Sequence, residues 1–513
     1  MTYKKMGSIK LNAIANYIGQ GFTIAVAIIC TPLYLQYLGA ESYGLVGFFM
    51  IMQNWLSLMD TGLAATLGRQ VAFARGQING FKNFNNLLRS FEIVFFILAI
   101  SILMGVYFGS DWLAHKWLKA NLLSPESISY CINIMGIIIG LRIFSTTYRS
   151  GINGFEDQIW INKLVVAIAS IKYIGAFFVL VYITNDVETF FEYQLAIAIL
   201  EVGILGYRFY DNLPASVVHN TWFKVDWSAF REILPFTLSI TYTSATLIII
   251  TQFDKLLLSG SLSLQVFGYF SLITLLAGGI ISLSTPVFLA FLPRMTMLAS
   301  KLERLEMQSV YVDMTQIITW ITFSSTMLIV VYSQEILYLL TGDNRTYQWG
   351  GGVLLWYALG SGTYVLGTFQ YYLQNALGTL KLYVIGSTLS LVIQIPVIYF
   401  VITKYGAIGA SQLWFIFSLI WFFGWTSVVH SKFIPGFHIK WLVKDLLPII
   451  FCTAALAYLI KNTIYIDINE SRILILLKLA FIGIGFLIVT SACVPLIRNK
   501  VFKKAVSWWS RRA

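Results

Sequence analysis

Long apolar runs recur along almost the whole chain, and they limit most strongly what it can fold into. A helix needs about 20 mostly apolar residues to cross the hydrocarbon core of a bilayer. Such runs, here termed spans 1 to 14, begin near residues 12, 42, 90, 128, 161, 190, 233, 264, 309, 351, 381, 407, 445 and 473. The sequence predicts an all-α polytopic membrane protein of about 14 transmembrane helices, or 12 if the last pair is set aside.

The charged residues are few and unevenly placed. Only 11% of residues are charged and the mean hydropathy is +0.75, whereas charged residues make up about 25% of ordinary soluble domains. If the N-terminus is cytoplasmic, twenty-six Lys and Arg residues fall on the inner side and six on the outer side. This positive-inside bias predicts that both termini are cytoplasmic. It also explains the net charge of +12 without a nucleic-acid partner, because no basic soluble domain is present.

The stretch from Asn12 to Arg75 has a counterpart later in the chain. Tyr43-Gly44 matches Phe267-Gly268 at an offset of about 224 residues, and basic segments open at Arg69 and Arg294. Repeats that each hold an even number of spans lie parallel, related by an axis along the bilayer normal. The pattern is typical of a transporter whose site lies between two halves.

The repeat also predicts how the chain divides. We expect an N-terminal six-helix lobe at 1–212, a C-terminal six-helix lobe at 213–444, spans 13 and 14 at 445–497, and a cytoplasmic basic tail at 498–513.

The sequence carries no motif for enzyme chemistry or for a bound metal or cofactor. It contains no His-Glu-x-x-His, no Gly-x-Ser-x-Gly and no phosphate loop ending in Gly-Lys-Ser/Thr. The first apolar run is longer than the core of a signal peptide, so we expect it to remain as an anchor. The four cysteines, Cys30, Cys131, Cys452 and Cys493, all fall in spans, where we expect packing residues rather than disulfides.

Polar residues form stripes on spans 1 and 2. Asn16 and Gln20 lie one turn apart on span 1, and Gln53 and Asp60 lie on one face of span 2. Two such stripes would line a wet cavity. Alternatively, the amides bond neighbouring helices without a role in binding.

Span 5 places Lys172 among apolar residues near its middle, the most costly position for a charge in the chain. By distance from the turn between spans 5 and 6, Glu201 should lie at the same depth and act as its charge partner. One interpretation is a buried structural ion pair. The other is a site in which Lys172 meets an anion and Glu201 tunes its charge or exchanges a proton.

Span 4 carries Arg142 and Arg149 seven residues apart on one face, which suggests a cationic track for phosphate. The equivalent positions of span 10, at an offset of 222, are Tyr364 and Tyr371. Their rings would face sugar or simply pack.

Two further sets of charges stand near span ends. Arg69 and Arg294 are expected at the cytoplasmic mouth, and Asp254-Lys255 near the outer interface, where an interfacial structural pair is the plainer interpretation.

These landmarks resemble the Wzx-type O-antigen and polysaccharide flippases of the multidrug/oligosaccharidyl-lipid/polysaccharide (MOP) exporter superfamily. The resemblance rests on Leu38-Gly39 with Tyr43-Gly44, on Asp60 with Gly62-Leu63 and Arg69, and on Asp254-Lys255-Leu256 with Pro293-Arg294. It implies two six-helix lobes in a V around a central cavity, with two helices appended. It also implies export of undecaprenyl-pyrophosphate-linked oligosaccharide across the bacterial inner membrane by alternating access. Membrane lipids, H⁺ or Na⁺ coupling and polysaccharide-assembly proteins are the partners that go with it.

Two other function classes fit the sequence less well. A cation-coupled drug exporter of the same superfamily would be expected to carry a buried carboxylate in its N-terminal lobe. Span 1 has none, and the deepest charge here is Lys172. A membrane-embedded glycan-processing enzyme would show catalytic spacing or a sizeable outer loop, and neither is present.

Overall fold

The computed structural model describes residues 9–76, 81, 84–214, 227–468 and 470–498, and among these the side chains of residues 9–18, 85, 229, 236 and 344–346 are not described. Helices make up nearly all of this part of the chain, and it contains no β-strand. The prediction of an all-α polytopic membrane protein is confirmed.

The chain divides between Ser271 and Leu272 into two compact units. The helices of the first unit are Ile9–Leu38, Ala40–Leu56, Thr61–Gly76, Phe84–Trp112, Pro125–Gly154, Gln158–Ala169, Ala176–Tyr182, Val187–Asp211 and Trp227–Ser261, with π-helical turns at Leu113–Trp117 and Ser170–Gly175. Helix Leu264–Ser282 runs across the division.

The second unit continues with helices of similar length. They are Ser284–Ser300, Arg304–Val331, Ser333–Thr341, Asn344–Gly367, Phe369–Ala376, Lys381–Ile420, Thr426–Phe433, His438–Trp441, Leu447–Thr463 and Arg472–Ser491, with π-helical turns at Trp421–Trp425 and Leu442–Leu446. Spans 11 and 12 meet at Gly406, whose φ of 59° lies in the left-handed region that glycine adopts without strain.

All fourteen span starts fall within helical segments of the described chain. Eleven segments are long and apolar enough to cross a membrane, and one of them, Lys381–Phe433, holds both span 11 and span 12. Spans 2 and 10 do not reach this threshold for two different reasons. Helix Ala40–Leu56 has only 17 residues before the break at residues 57–60. Helix Asn344–Gly367 is long enough, with 24 residues, but its many Gly, Ser, Thr and Tyr residues make it less apolar.

The two landmarks of the sequence repeat meet inside the first unit. A Cβ on Gly44 would lie 2.0 Å from the carbonyl oxygen of Leu264, and a Cβ on Gly268 would lie 2.2 Å from that of Ala40. Ala40 and Leu264 are themselves one repeat apart, so the contact is reciprocal, as between surfaces related by a two-fold axis. Only glycine allows this approach of backbone to backbone. The lobe boundaries expected from the repeat stay a prediction.

A buried carboxylate fixes the loop between spans 3 and 4. Glu41 Oε1 accepts hydrogen bonds from the backbone amides of Asn121, Leu122 and Leu123, at 2.8 to 2.9 Å. From this loop, Trp117 Nε1 donates to Ser259 Oγ over 3.0 Å. The carboxylate therefore holds the loop in place against the end of helix Trp227–Ser261.

One expectation about the cysteines is wrong. Cys452 and Cys493 form a disulfide that joins the starting half of helix Leu447–Thr463 to the chain just after helix Arg472–Ser491. Cys30 and Cys131 are free and buried, as expected of packing residues. Sequence spacing does not reveal that two antiparallel helices bring thiols 41 residues apart to the same level.

Candidate functional site

Asp60 stands at the break in span 2, immediately before helix Thr61–Gly76. Its side chain is buried, and its backbone carbonyl accepts the first bond of that helix from Ala64 N at 2.8 Å. A helix N-terminus stabilises a carboxylate through its unpaired amides and dipole. The break in span 2 thus places Asp60 where a helix N-terminus can stabilise its buried carboxylate.

Span 4 meets this acid with a hydroxyl and a guanidinium. Thr146 Oγ1 donates to Asp60 Oδ2 over 2.5 Å, and Arg142 Nη1 donates to Gln53 Oε1 over 2.9 Å. Arg142 and Asp60 also interact electrostatically. The polar stripe of span 2 and the arginine track of span 4, predicted separately, therefore form one network.

Arg149 lies two turns further along span 4 and forms an ion pair with Glu201 of helix Val187–Asp211. The pair uses Nη2 alone, and the Nε of Arg149 is buried without a hydrogen bond in the described part of the chain. The guanidinium fork is thus only partly used. Arginine can present two parallel donors to a phosphate or carboxylate, so this fork keeps capacity for an anion.

Lys172 lies in the π-helical turn Ser170–Gly175 at the middle of span 5. Such turns are rare and often occur at functional sites. Side chains from spans 1 and 6 bind three successive carbonyls of the turn: Tyr193 donates to Ile171 O at 2.7 Å, Gln194 to Lys172 O at 3.4 Å, and Tyr34 to Tyr173 O at 2.6 Å. These bonds hold the backbone that carries the lysine.

The Lys172 ammonium has no ion-pair partner within salt-bridge distance among the described residues. It stands 5.9 Å from the centre of the Tyr173 ring and interacts electrostatically with Glu201, Arg142 and Arg149. The expected direct pair between Lys172 and Glu201 is therefore not formed. Glu201 pairs with Arg149 instead, because span 4 lies alongside helix Val187–Asp211 and brings the longer arginine to the carboxylate.

Five ionisable groups consequently lie in one region of the first unit. This charge cluster consists of Asp60, Arg142, Arg149, Lys172 and Glu201. Its three cations exceed its two carboxylates, so with all five groups ionised it attracts an anion. No group of three His, Cys, Asp or Glu side chains that could hold a metal occurs in the described ranges.

Other residues proposed from the sequence lie elsewhere. Arg69, Arg294 and Gln20 are exposed, and Asn16 belongs to helix Ile9–Leu38, but its side chain lies outside the described residues. Asp254 and Lys255 form a neighbouring ion pair at 3.2 Å. Lys255 Nζ also donates to Thr251 O at 2.5 Å, so the pair is anchored on its own helix.

The two tyrosines of span 10 belong to the second unit and pack against other rings. Tyr364 lies 5.1 Å from Trp414, and Tyr371 lies 4.8 Å from Tyr383, measured between ring centres. The Tyr371 hydroxyl accepts a 3.5 Å bond from Asn375 Nδ2. Both rings thus make packing contacts with other aromatic side chains, and a role in sugar binding stays a prediction.

Sequence reasoning did not find the residues that shape the π-helical turn. Tyr34, Tyr193 and Gln194 resemble ordinary span residues in the sequence. Gly175 was an available signal, because a glycine near the most costly charge suggests that another group approaches the backbone closely. In the structure a Cβ on Gly175 would lie 2.0 Å from the Tyr193 hydroxyl.

Comparisons with known proteins define the class of fold. The chain superposes on a lipid II flippase, MurJ, in an inward closed conformation, with a TM-score of 0.71, 15% identity and coverage of 96% of this chain and 100% of MurJ. It also superposes on an inward-facing multidrug resistance MATE family transporter of the MOP superfamily, with a TM-score of 0.66, 13% identity and coverage of 82% and 98%.

A third structure with this fold is a MOP superfamily transporter from Pyrococcus furiosus, described as having a binding pocket of reverse polarity. Its TM-score is 0.58 at 14% identity, with coverage of 84% of this chain and 99% of the transporter. The sequence matches no protein-family model and no curated protein sequence. The chain therefore has the fold of MOP superfamily transporters.

Proposed function

We propose that the chain is a MOP-type flippase that moves an undecaprenyl-pyrophosphate-linked oligosaccharide, an O-antigen repeat unit, from the inner to the outer leaflet of the bacterial inner membrane. The observation that carries this proposal is the charge cluster, in which cations outnumber carboxylates inside a fold shared with a lipid II flippase. The O-antigen class of glycan is proposed because the sequence landmarks resemble those of Wzx-type flippases.

The physical problem for such a protein is to move polar groups through hydrocarbon. Each unpaired hydroxyl or charge costs several kcal/mol in a medium without water. Guanidinium and ammonium groups would pair with the pyrophosphate, Gln53 and other amides would replace water around the sugar, and the isoprenoid tail would stay in the bilayer. Lys172 is the main phosphate contact in this scheme, because its ammonium is not held by a salt bridge in the described chain.

The membrane itself would supply energy. With the inside negative, moving two negative charges outward is favoured by about 4.6 kcal/mol at 100 mV. Proton or sodium coupling through Asp60 or Glu201 would add to this. Alternating access between two parallel repeats is the general mechanism of repeat transporters.

A drug-exporting function is less well supported by these charges. An exporter of cations needs an excess of buried carboxylates, whereas the charge cluster has an excess of cations. The same excess suits an anionic lipid.

The test is a translocation assay on the full chain in lipid vesicles. The wild type, Lys172→Ala and Lys172→Glu are reconstituted at equal density, and flipping of a labelled undecaprenyl-pyrophosphate oligosaccharide is followed under an imposed potential. We expect the wild type to flip the lipid, Lys172→Ala to be at least about tenfold slower, which corresponds to ~1.4 kcal/mol, and Lys172→Glu to be inactive.

Folding is checked by size-exclusion profile and thermal stability, so that loss of activity is not loss of structure. Full activity in both variants would make Lys172 structural. A wild type that flips no such lipid would contradict the proposed function.

A further inference from the structure

Three tryptophans of span 12 lie on one side of their helix. Trp414, Trp421 and Trp425, here termed the tryptophan stripe, are seven and four residues apart, so they share one helical face. Trp421 and Trp425 also begin and end a π-helical turn. The opposite face carries the exposed apolar residues Ile416, Ile420 and Phe423. An exposed apolar face of a transmembrane helix meets lipid, so the stripe points away from lipid.

Glycines of the neighbouring spans hold the rings of the stripe. A Cβ on Gly367 of span 10 would lie 2.7 Å from the Trp421 ring. A Cβ on Gly386 of span 11 would lie 2.1 Å from the Trp425 ring. Only glycine leaves room for an indole at these positions. The rings are therefore held in place, and a side chain that is already ordered loses little conformational freedom when a ligand binds.

The rings are held without being covered. All three tryptophans are half-buried, although they lie on the side of the helix that faces away from lipid. Trp421 and Trp425 stack on each other, with their ring centres 5.7 Å apart and their planes at 17°. The stripe thus presents a partly open aromatic surface that lipid does not cover.

Polar atoms without partners accompany this surface. Trp425 Nε1, Ser418 Oγ and Gln394 Oε1 are buried and make no hydrogen bond in the described part of the chain. Ser418 lies between Trp414 and Trp421 on the same face of span 12. Gln394 and Ser418 each stand twelve residues from Gly406, where spans 11 and 12 meet, so the two lie at a similar depth. Buried polar atoms are costly unless a partner completes their hydrogen bonds.

We infer that the tryptophan stripe binds the sugar rings of the lipid-linked oligosaccharide. The inference rests on the proposed function and deepens it, because it adds a glycan subsite in the second unit to the charge cluster of the first. A sugar ring presents a face of C–H groups that packs on an indole, and hydroxyls at its edge that donate and accept hydrogen bonds. Trp425 Nε1 can donate to such a hydroxyl, and Gln394 Oε1 can accept from one.

The isoprenoid tail is the other part of the substrate that an aromatic surface can bind. It has no hydrogen-bond donor or acceptor, so it would leave the polar atoms beside the stripe unpaired. It also dissolves in the bilayer without help from the protein. Both differences favour the glycan as the occupant of the stripe.

The experiment measures two affinities on the full-length protein in nanodiscs. One probe is undecaprenyl pyrophosphate without sugar, and the other is the undecaprenyl-pyrophosphate oligosaccharide of the flipping assay. Both are titrated against a fluorescent lipid competitor. The dissociation constants are compared for the wild type, Trp421→Leu and Trp421→Phe.

The effect should be confined to the lipid that carries the glycan. Trp421→Leu should weaken binding of the oligosaccharide lipid at least about tenfold, which corresponds to ~1.4 kcal/mol, and leave the affinity for the sugar-free lipid within about twofold. Trp421→Phe keeps a smaller ring, so its loss should lie between those of the wild type and Trp421→Leu. It also decides the question if Trp421→Leu does not fold.

Two further variants frame this result. Phe423→Leu removes a ring from the same π-helical turn on its exposed, opposite face, and should change neither affinity. Lys172→Ala should weaken both lipids by a similar factor, because each of them carries the pyrophosphate. The contrast between Lys172→Ala and Trp421→Leu separates the two parts of the site.

Each outcome decides a different statement. Equal weakening of both lipids in Trp421→Leu assigns the stripe to the isoprenoid tail or to support of the fold. Unchanged affinities in a folded Trp421→Leu make the stripe a packing feature. Either result overturns the inference, while the flippase proposal stands. A wild type that binds neither lipid overturns the proposed function together with this inference.

Discussion

Spans 4 and 10 occupy equivalent places in the repeat, but the side chains at their equivalent positions are stabilised by different kinds of contact. Span 4 carries Arg142 and Arg149, which are held by an amide and a carboxylate. Span 10 carries Tyr364 and Tyr371, which are held by other aromatic rings. In each pair the residues stand seven positions apart, so they share one helical face.

The difference shows that the repeat conserves geometry while the chemistry of each copy is set separately. A buried charge requires a specific partner, so loss of one member leaves the other uncompensated. A buried ring requires only complementary volume. Around span 4 stability should therefore depend on the pairing of charges, and around span 10 on the space available to the rings.

The largest expected effect breaks the pairing of the first unit. Arg142→Ala removes the charged donor to Gln53 and a cation that interacts electrostatically with the buried Asp60, so we expect the free energy of unfolding to fall by about 1.5–3 kcal/mol. Denaturant unfolding in detergent micelles measures this. Adding Asp60→Asn to Arg142→Ala should restore part of the loss, and an unchanged single variant would show that the two groups do not depend on each other.

The next effect tests how tightly the side chains pack around Gly360 and Trp414 in the second unit. A Cβ on Gly360 would lie 2.2 Å from Cδ1 of Trp414, the ring that packs on Tyr364, so Gly360→Ala should lower the free energy of unfolding by about 1–3 kcal/mol. Gly485→Ala is the control, because nothing lies within 4 Å of a Cβ there. Equal melting temperatures for the two variants would rule out tight packing at Gly360.

A smaller effect concerns the turn that carries Lys172. Tyr193→Phe removes the hydroxyl that donates to Ile171 O, and we expect a loss of about 0.5–1.5 kcal/mol in stability together with weaker binding of the pyrophosphate lipid. Tyr207→Phe alters an exposed tyrosine of the same helix and should change neither quantity. If lipid affinity were unaffected in Tyr193→Phe, the turn would not position Lys172.

The smallest effects separate the contribution of the Tyr364 ring from that of its hydroxyl. Tyr364→Phe keeps the ring, and the Tyr364 hydroxyl makes no hydrogen bond among the described residues, so stability should change by about 0.5 kcal/mol or less. Tyr364→Leu loses the ring contact with Trp414 and should cost about 0.5–1.5 kcal/mol. Lipid-binding assays accompany both variants. A marked fall in glycolipid affinity for Tyr364→Phe would assign the hydroxyl to sugar binding.

Much of the fold was predictable because a bilayer imposes simple rules on sequence. Apolar runs of about 20 residues located the helices, since each helix must satisfy its own backbone inside hydrocarbon. The repeat identified Gly44 and Gly268 as equivalent positions, but their reciprocal approach became visible only in the structure. The disulfide between Cys452 and Cys493 was missed because it depends on which helices are neighbours.

The sequence predicted which residues belong to the candidate site better than it predicted which of them contact each other. Helical spacing placed Gln53 with Asp60 and Arg142 with Arg149, because residues on one helix keep a fixed phase. Depth counting brought Glu201 near Lys172 but could not show that Arg149 would take the carboxylate. Depth gives one coordinate, whereas an ion pair also requires the rotation of each helix about its axis.

The sequence by itself determined the helical membrane class, the approximate positions of the helices, and the residue types that carry buried charge. These follow from the cost of exposing backbone and charge to hydrocarbon, which acts on each segment separately. Only the tertiary structure decided which charge meets which partner, where Tyr34, Tyr193 and Gln194 bind the turn around Lys172, and that this turn is π-helical. Those outcomes depend on contacts between segments far apart in the chain, so no single segment encodes them.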